Sequence, residues 1–162
     1  MSMGVRAARE ADAAQMSDVL TRSIAELCEA DHRRDQGILD AWLSNKTPDA
    51  VCALIADPSR HVMVAVDGDR VACVGATGPG GRIELLYVAP DYRFRGVSKL
   101  MLAALEQHLR TRGVREIKLT SSNTALRFYL AAGYERDGAP TTWRADVLAH
   151  PMQMVLREKN AN

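Results

Sequence analysis

Apolar positions recur at three- and four-residue steps over residues 12–30, where Met16, Val19, Leu20, Ile24, Leu27 and Cys28 make one face. That spacing predicts an amphipathic helix. A charged stretch, 31–35, reads as a solvated turn. Ile38, Leu39, Trp42 and Leu43 mark a second, shorter helix. Thr47 and Pro48 open a third, with Val51, Leu54 and Ile55 on its buried side and Asp57-Pro58 at its end. The period then changes. Residues 61–66 and 71–77 are rich in valine and flank Asp67-Gly68-Asp69, which predicts a β-hairpin. A turn over 78–81 leads into a strand over 82–88, "RIELLYV". The clearest helix follows, with Val97, Leu100, Met101, Ala104, Leu105, His108 and Leu109 in one stripe and Gly113 as its stop. A strand over 116–120, a helix over 123–132, and strands around Trp143 and over 152–156 complete the expectation, after a short first strand at 4–8. The strand–helix–strand unit over 82–120 favours a parallel pair with a right-handed crossover. The fold class is therefore α/β, a mixed central sheet flanked by helices.

The length of 162 residues suits one domain, 1–162, with a core that needs no disulfide or metal. Net charge is +1, so the broad basic footprint of a nucleic-acid binder is missing. Cys28, Cys52 and Cys73 are odd in number and not closely paired, which fits free thiols in a cytoplasmic protein. There is no signal-peptide pattern and no apolar run of about 20 residues, so no membrane partner is expected. Cys73, on a hairpin strand, reads as a core cysteine, and His108 as a packed or boundary histidine. Trp42 and Trp143 read as packing residues. Asp31, His32 and Asp35 include one histidine, too few ligands for a metal site.

Chemistry concentrates between the third strand and the long helix, in Tyr92-Arg93-Phe94-Arg95-Gly96-Val97-Ser98-Lys99. Two arginines and a glycine stand before a helix N-terminus, where free backbone N–H groups and the helix dipole favour an anion. A pyrophosphate cradle and a solvated basic cap both fit this pattern. Neither a Walker loop nor a dinucleotide fingerprint is present.

Arg93-Phe94-Arg95-Gly96-Val97-Ser98, after "LYVAPDY", resembles the acetyl-CoA motif of the GCN5-related N-acetyltransferases, Gln/Arg-x-x-Gly-x-Gly/Ala. Ser98 replaces Gly or Ala, and Phe94 stands where many members carry another glycine. Further on, Asn123, Ala125, Phe128, Tyr129, Gly133 and Tyr134 are similar to that family's Asn-x-x-Ala-x-x-Phe-Tyr-x-x-x-Gly-Phe segment, with Ala125 one residue early. The resemblance covers nearly the whole chain. It implies a sheet whose third strand and following parallel strand splay apart to admit the pantetheine arm, paired to backbone groups of Leu86, Tyr87 and Val88. It also implies the pyrophosphate on Arg93, Phe94, Arg95, Gly96, Val97 and Ser98, and Asn123 on the pantetheine.

Acetyl transfer from a thioester to an amine needs no metal. The resemblance implies Tyr129 as the acid that protonates the CoA thiolate, against an alternative as a core tyrosine. Glu84 lies in an otherwise apolar strand and fits either the base that takes the amine proton or a carboxylate paired with Arg82 or another cation. The backbone N–H of Leu86 is the expected oxyanion donor. The implied function is direct acetyl transfer from acetyl-CoA to a primary amine, with a small amine or amino-acid-like acceptor favoured. A non-catalytic acyl-CoA-binding or regulatory module is the alternative. The apolar tail "HPMQMVL" suits an interior strand or a homodimer interface equally.

Overall fold

The structure, a computed structural model, describes residues 3–144 and 146–157. Strand β1 (Met3–Ala7) leads through a single 3-10 turn into α1 (Ala13–Leu27), α2 (Glu29–His32), α3 (Gln36–Leu43) and α4 (Pro48–Ala56). Strands β2 (His61–Asp67), β3 (Arg70–Gly78) and β4 (Arg82–Val88) follow. Then come α5 (Val97–Thr111), β5 (Glu116–Ser121), α6 (Leu126–Ala131) and the short β6 (Glu135–Arg136) and β7 (Thr141–Thr142). The last strand is β8 (Leu148–Val155). The sheet order is β1-β2-β3-β4-β5-β8-β6, with β7 also on β8. Every pairing is antiparallel except β4 with β5. This is the expected mixed α/β sheet flanked by helices.

The valine-rich hairpin forms the middle of the core. Val71 to Thr77 of β3 are all buried, because the strand has neighbours on both edges and helices α1 and α5 pack against it. Met16, Leu20 and Ile24 from α1 and Met101 and Leu105 from α5 are fully buried. Each such side chain contributes about 2 kcal/mol relative to an exposed one. Most of the α5 stripe is buried as its period implies, but Leu100 is exposed and Leu102 packs into the core in its place. At the edge of the stripe His108 stacks on His61 of β2, ring centroids 3.8 Å apart. Burial lowers the pKa of both imidazoles. Cys28, Cys52 and Cys73 are free thiols, and burial pushes Cys73 up to about 12.

Five local expectations need correction. The helix expected over 12–30 stops at Leu27, and the stretch read as a solvated turn begins as helix α2, with Asp31 and His32 only 1% exposed. Both are buried because the fold supplies partners. His32 Nδ1 accepts from the Arg34 N–H, leaving Nε2 to donate to the carbonyls of Ile24 and Ala25. Helix α6 begins at Leu126, since the residues before it are held by Asp31 instead. Trp143 lies just past β7 and meets Trp42 edge-on at 6.0 Å. Finally, β8 starts at Leu148 and fills an interior position between β5 and the short β6 and β7, so the apolar tail serves as a sheet strand.

Candidate active site

Strands β4 and β5 share one register pair, Arg82 with Lys118, reinforced by the Lys118 N–H donating to the Gly81 carbonyl at 3.1 Å. No further ladder pairing joins them among the described residues. Beyond that point they part, while β4 stays paired to β3 as far as Val88. A cavity of about 400 Å³ occupies the gap. Leu85 to Val88 of β4 form one wall and Leu119 to Ser121 of β5 the other.

The gap opens onto the start of α5. Helices α3 and α4 are closed by side-chain caps, Asp35 accepting from the Ile38 N–H and Thr47 from the Ala50 N–H. At α5 the N-cap is Gly96, at φ 77°, and no side chain caps the first turn. That left-handed backbone explains the glycine: an added Cβ would meet nothing within 4 Å, so conformation, not space, selects it. Gly96, Val97, Ser98 and Lys99 all line the cavity. Open N–H groups and the positive end of a 15-residue helix therefore face it. Phe94 also has a positive φ, 63°, which costs a non-glycine residue about 1 kcal/mol. The residue is 89% exposed, and its ring lies under the Arg93 guanidinium at 4.4 Å. Arg95 lies over the ring of Tyr92, whose hydroxyl donates to Asp67. The loop is thus braced against the β2–β3 turn.

Tyr129 reaches the cavity from α6, which its own carbonyl helps to close by accepting from the Tyr134 N–H. The residue is buried, and desolvation, with Tyr87 and Cys73 nearby, raises its phenol well above the usual tyrosine value. It therefore carries its proton at neutral pH. Burial pushes Tyr87 up to about 12, against a lowering contribution from Trp42.

Glu84 lines the same cavity, and its carboxylate is paired with Arg60 at 2.7 Å. Arg60 also pairs with Asp57. The cation is therefore Arg60, from the loop before β2; Arg82 donates instead to Thr120 Oγ1. Of the residues singled out from the sequence, Glu84, Leu86, Tyr87, Val88, Arg93, Phe94, Gly96, Val97, Ser98 and Tyr129 all line this one cavity. Arg95 and Asn123 are not among its lining residues. The Asn123 side-chain oxygen instead accepts from His150 Nε2 at 2.7 Å. Sequence reasoning missed Asp31 as a structural anchor. Its carboxylate accepts from the Asn123 and Thr124 N–H groups at 2.6 and 3.1 Å and from the Thr124 hydroxyl, tying α2 to the loop that precedes α6. No local pattern announces that pairing, because the partners lie 92 and 93 residues away.

A profile described as an acetyltransferase (GNAT) domain matches residues 29–156. The chain belongs to the GNAT acetyltransferase family. A candidate acetyltransferase of Bacillus subtilis (strain 168) is 34% identical over 74 residues, which is 46% of this chain and 48% of that protein. The match thus spans about half the length of that relative. Among solved structures, a GCN5-related N-acetyltransferase from Rhodopseudomonas palustris superposes with a TM-score of 0.83 at 22% identity, covering 96% of this chain and 97% of its own. The PaiA N-acetyltransferase of Thermoplasma acidophilum, solved with coenzyme A, gives 0.81 at 15% identity, covering 96% and 100%. YncA of Salmonella typhimurium, solved with acetyl-CoA, gives 0.68 at 20%, covering 100% and 98%. At such identities the likeness is one of fold.

Proposed function

We propose that the chain acts as one domain that transfers an acetyl group from acetyl-CoA to the primary amine of a small molecule, directly, in a ternary complex. One observation carries this reading: a single cavity joins the parted strands β4 and β5 to the uncapped N-terminus of α5 and has Tyr129 in its wall. The first two features suit a long, partly peptide-like molecule with a pyrophosphate at one end.

In this reading the pyrophosphate takes the first-turn N–H groups of α5, with Arg93 and Arg95 adding charge. The pantetheine pairs with the backbone of Leu86, Tyr87 and Val88, and Asn123, its oxygen held by His150, has its side-chain NH2 left to contact it. Acetyl-CoA brings the activated thioester, so the protein has only protons and one developing charge to manage. Glu84, held in place by Arg60, takes the amine proton as the new C–N bond forms. The Leu86 N–H meets the oxyanion. As the C–S bond breaks, Tyr129 protonates the departing thiolate. The phenol is protonated at neutral pH, which the step requires, although its burial makes it a weaker acid than a free tyrosine.

Calorimetric titration with acetyl-CoA, with desulfo-CoA and ATP as controls, tests the site. Selective binding of the CoA compounds is expected. Given an acceptor, Tyr129→Phe should lower kcat about a hundred-fold or more while acetyl-CoA affinity stays nearly intact. Absence of binding removes the whole reading. Binding with an unchanged kcat in the variant removes Tyr129 as the acid.

A further inference from the structure

A second cavity, of about 460 Å³, lies between α1, α4 and β4. It shares Glu84 and Leu85 with the first, so the two meet at the carboxylate proposed to receive the amine proton. Its remaining lining includes Leu20, Val51 and Leu54, which are apolar, and the charged Lys46, Asp57 and Arg60.

Lys46 is the unusual member. It sits in the short connection between α3 and α4, where its carbonyl accepts from Ser17 Oγ at 2.6 Å and its N–H donates to the Leu43 carbonyl at 3.0 Å. The backbone is therefore pinned, and the residue is only 9% exposed. A buried ammonium is costly unless an anion meets it. Here the Lys46 ammonium donates to the Asn45 side-chain oxygen, and no carboxylate lies within 4 Å of it among the described residues. The two acids of the cavity, Glu84 and Asp57, are both engaged by Arg60. Desolvation lowers the Lys46 pKa, as expected of a cation without a counter-charge. One side of the cavity thus holds a cation lacking an anionic partner. The other holds two carboxylates against one guanidinium. A ligand with a negative and a positive end satisfies both.

We infer that this cavity takes the acetyl acceptor and that the acceptor is an amino acid, its carboxylate on Lys46 and its amine at Glu84. The inference rests on the acetyl-transfer reading and names its substrate class. Leu20, Val51 and Leu54 offer an apolar surface to an aliphatic side chain. Lys46 is a specificity-determining residue; it has no part in the bond-making steps.

The test compares free amino acids with two sets of analogues, their carboxamides and the corresponding amines without the carboxylate. Coenzyme A thiol release is followed at saturating acetyl-CoA. The two sets bracket the effect of amine basicity. We expect kcat/KM at least ten-fold higher for the amino acids than for either analogue set. Lys46→Met should raise KM for the amino acids at least ten-fold with kcat little changed, and leave the analogues unaffected; Lys46→Arg should recover part of the loss. Acetyl-CoA titration of each variant reports whether it is folded. If the wild type binds acetyl-CoA but acetylates no amino acid, or shows no preference over the analogues, the inference is overturned. It is equally overturned if Lys46→Met slows acids and analogues alike. Failure of the wild type to bind acetyl-CoA would instead sink the acetyl-transfer reading itself.

Discussion

The ladder on one edge of β4 and the gap on its other edge are opposites built on the same strand. Toward β3, β4 is paired from Arg82 to Val88, and the layer above is filled. A Cβ placed on Gly75 of β3 would come within 2.7 Å of Met101 Sδ and 3.0 Å of Leu105 Cδ1. Toward β5, one register pair holds the strands together and the rest is cavity. Helix α5 serves both sides: its buried stripe closes the ladder region, and its uncapped first turn opens onto the gap. Backbone groups left unpaired beside a cavity are costly in a closed core. The gap persists because β4 is clamped by β3, and because Asp31 holds the far rim through Asn123 and Thr124. Saturated packing on one edge is what allows the other edge to stay open.

The contrast can be broken at three points. The largest effect is expected in the closed region. Gly75→Val should push on Met101 and Leu105 and lower stability by about 3 kcal/mol in urea unfolding. A loss under about 1 kcal/mol would mean that α5 yields easily, and the clamp argument would fail. Next, Gly96→Glu places a carboxylate and a disfavoured φ at the mouth of the gap. Acetyl-CoA affinity should fall at least about ten-fold, equivalent to about 1.4 kcal/mol, while circular dichroism stays native. Unchanged affinity in a folded variant would remove the pyrophosphate from this loop. The smallest effect belongs to Phe94→Gly. Relief of a left-handed non-glycine backbone should outweigh the added chain entropy and the lost Arg93 contact, for a net gain of about 0.5 kcal/mol. A variant less stable than the wild type would show that the exposed ring earns its strain through Arg93.

Much of the frame was readable from local patterns. The α5 helix, the Thr47-Pro48 helix start and the valine hairpin each follow from periods of a few residues, and the structure has all three, with Leu102 rather than Leu100 buried on α5. The charged stretch 31–35 misled because charge predicts solvent only when no distant partner exists. Asp31 has such partners in Asn123 and Thr124. The start of β8 was hidden for a similar reason: His150, Pro151 and Gln153 interrupt an apolar alternation, yet both edges of the strand are paired.

By itself, the sequence determined which residues could do chemistry: a glycine before a long helix, a tyrosine in the segment that follows β5, and a carboxylate within an apolar strand. Those features depend on neighbours one to four positions away, and such neighbours come together whatever the rest of the chain does. Tertiary structure alone decided that Glu84 pairs with Arg60, 24 residues away, and that β5 leaves β4 after one register pair. It alone decided that Lys46 is buried without an acid. Ion pairing and desolvation act through space, over a few ångströms, between segments whose approach is settled only when the whole core packs.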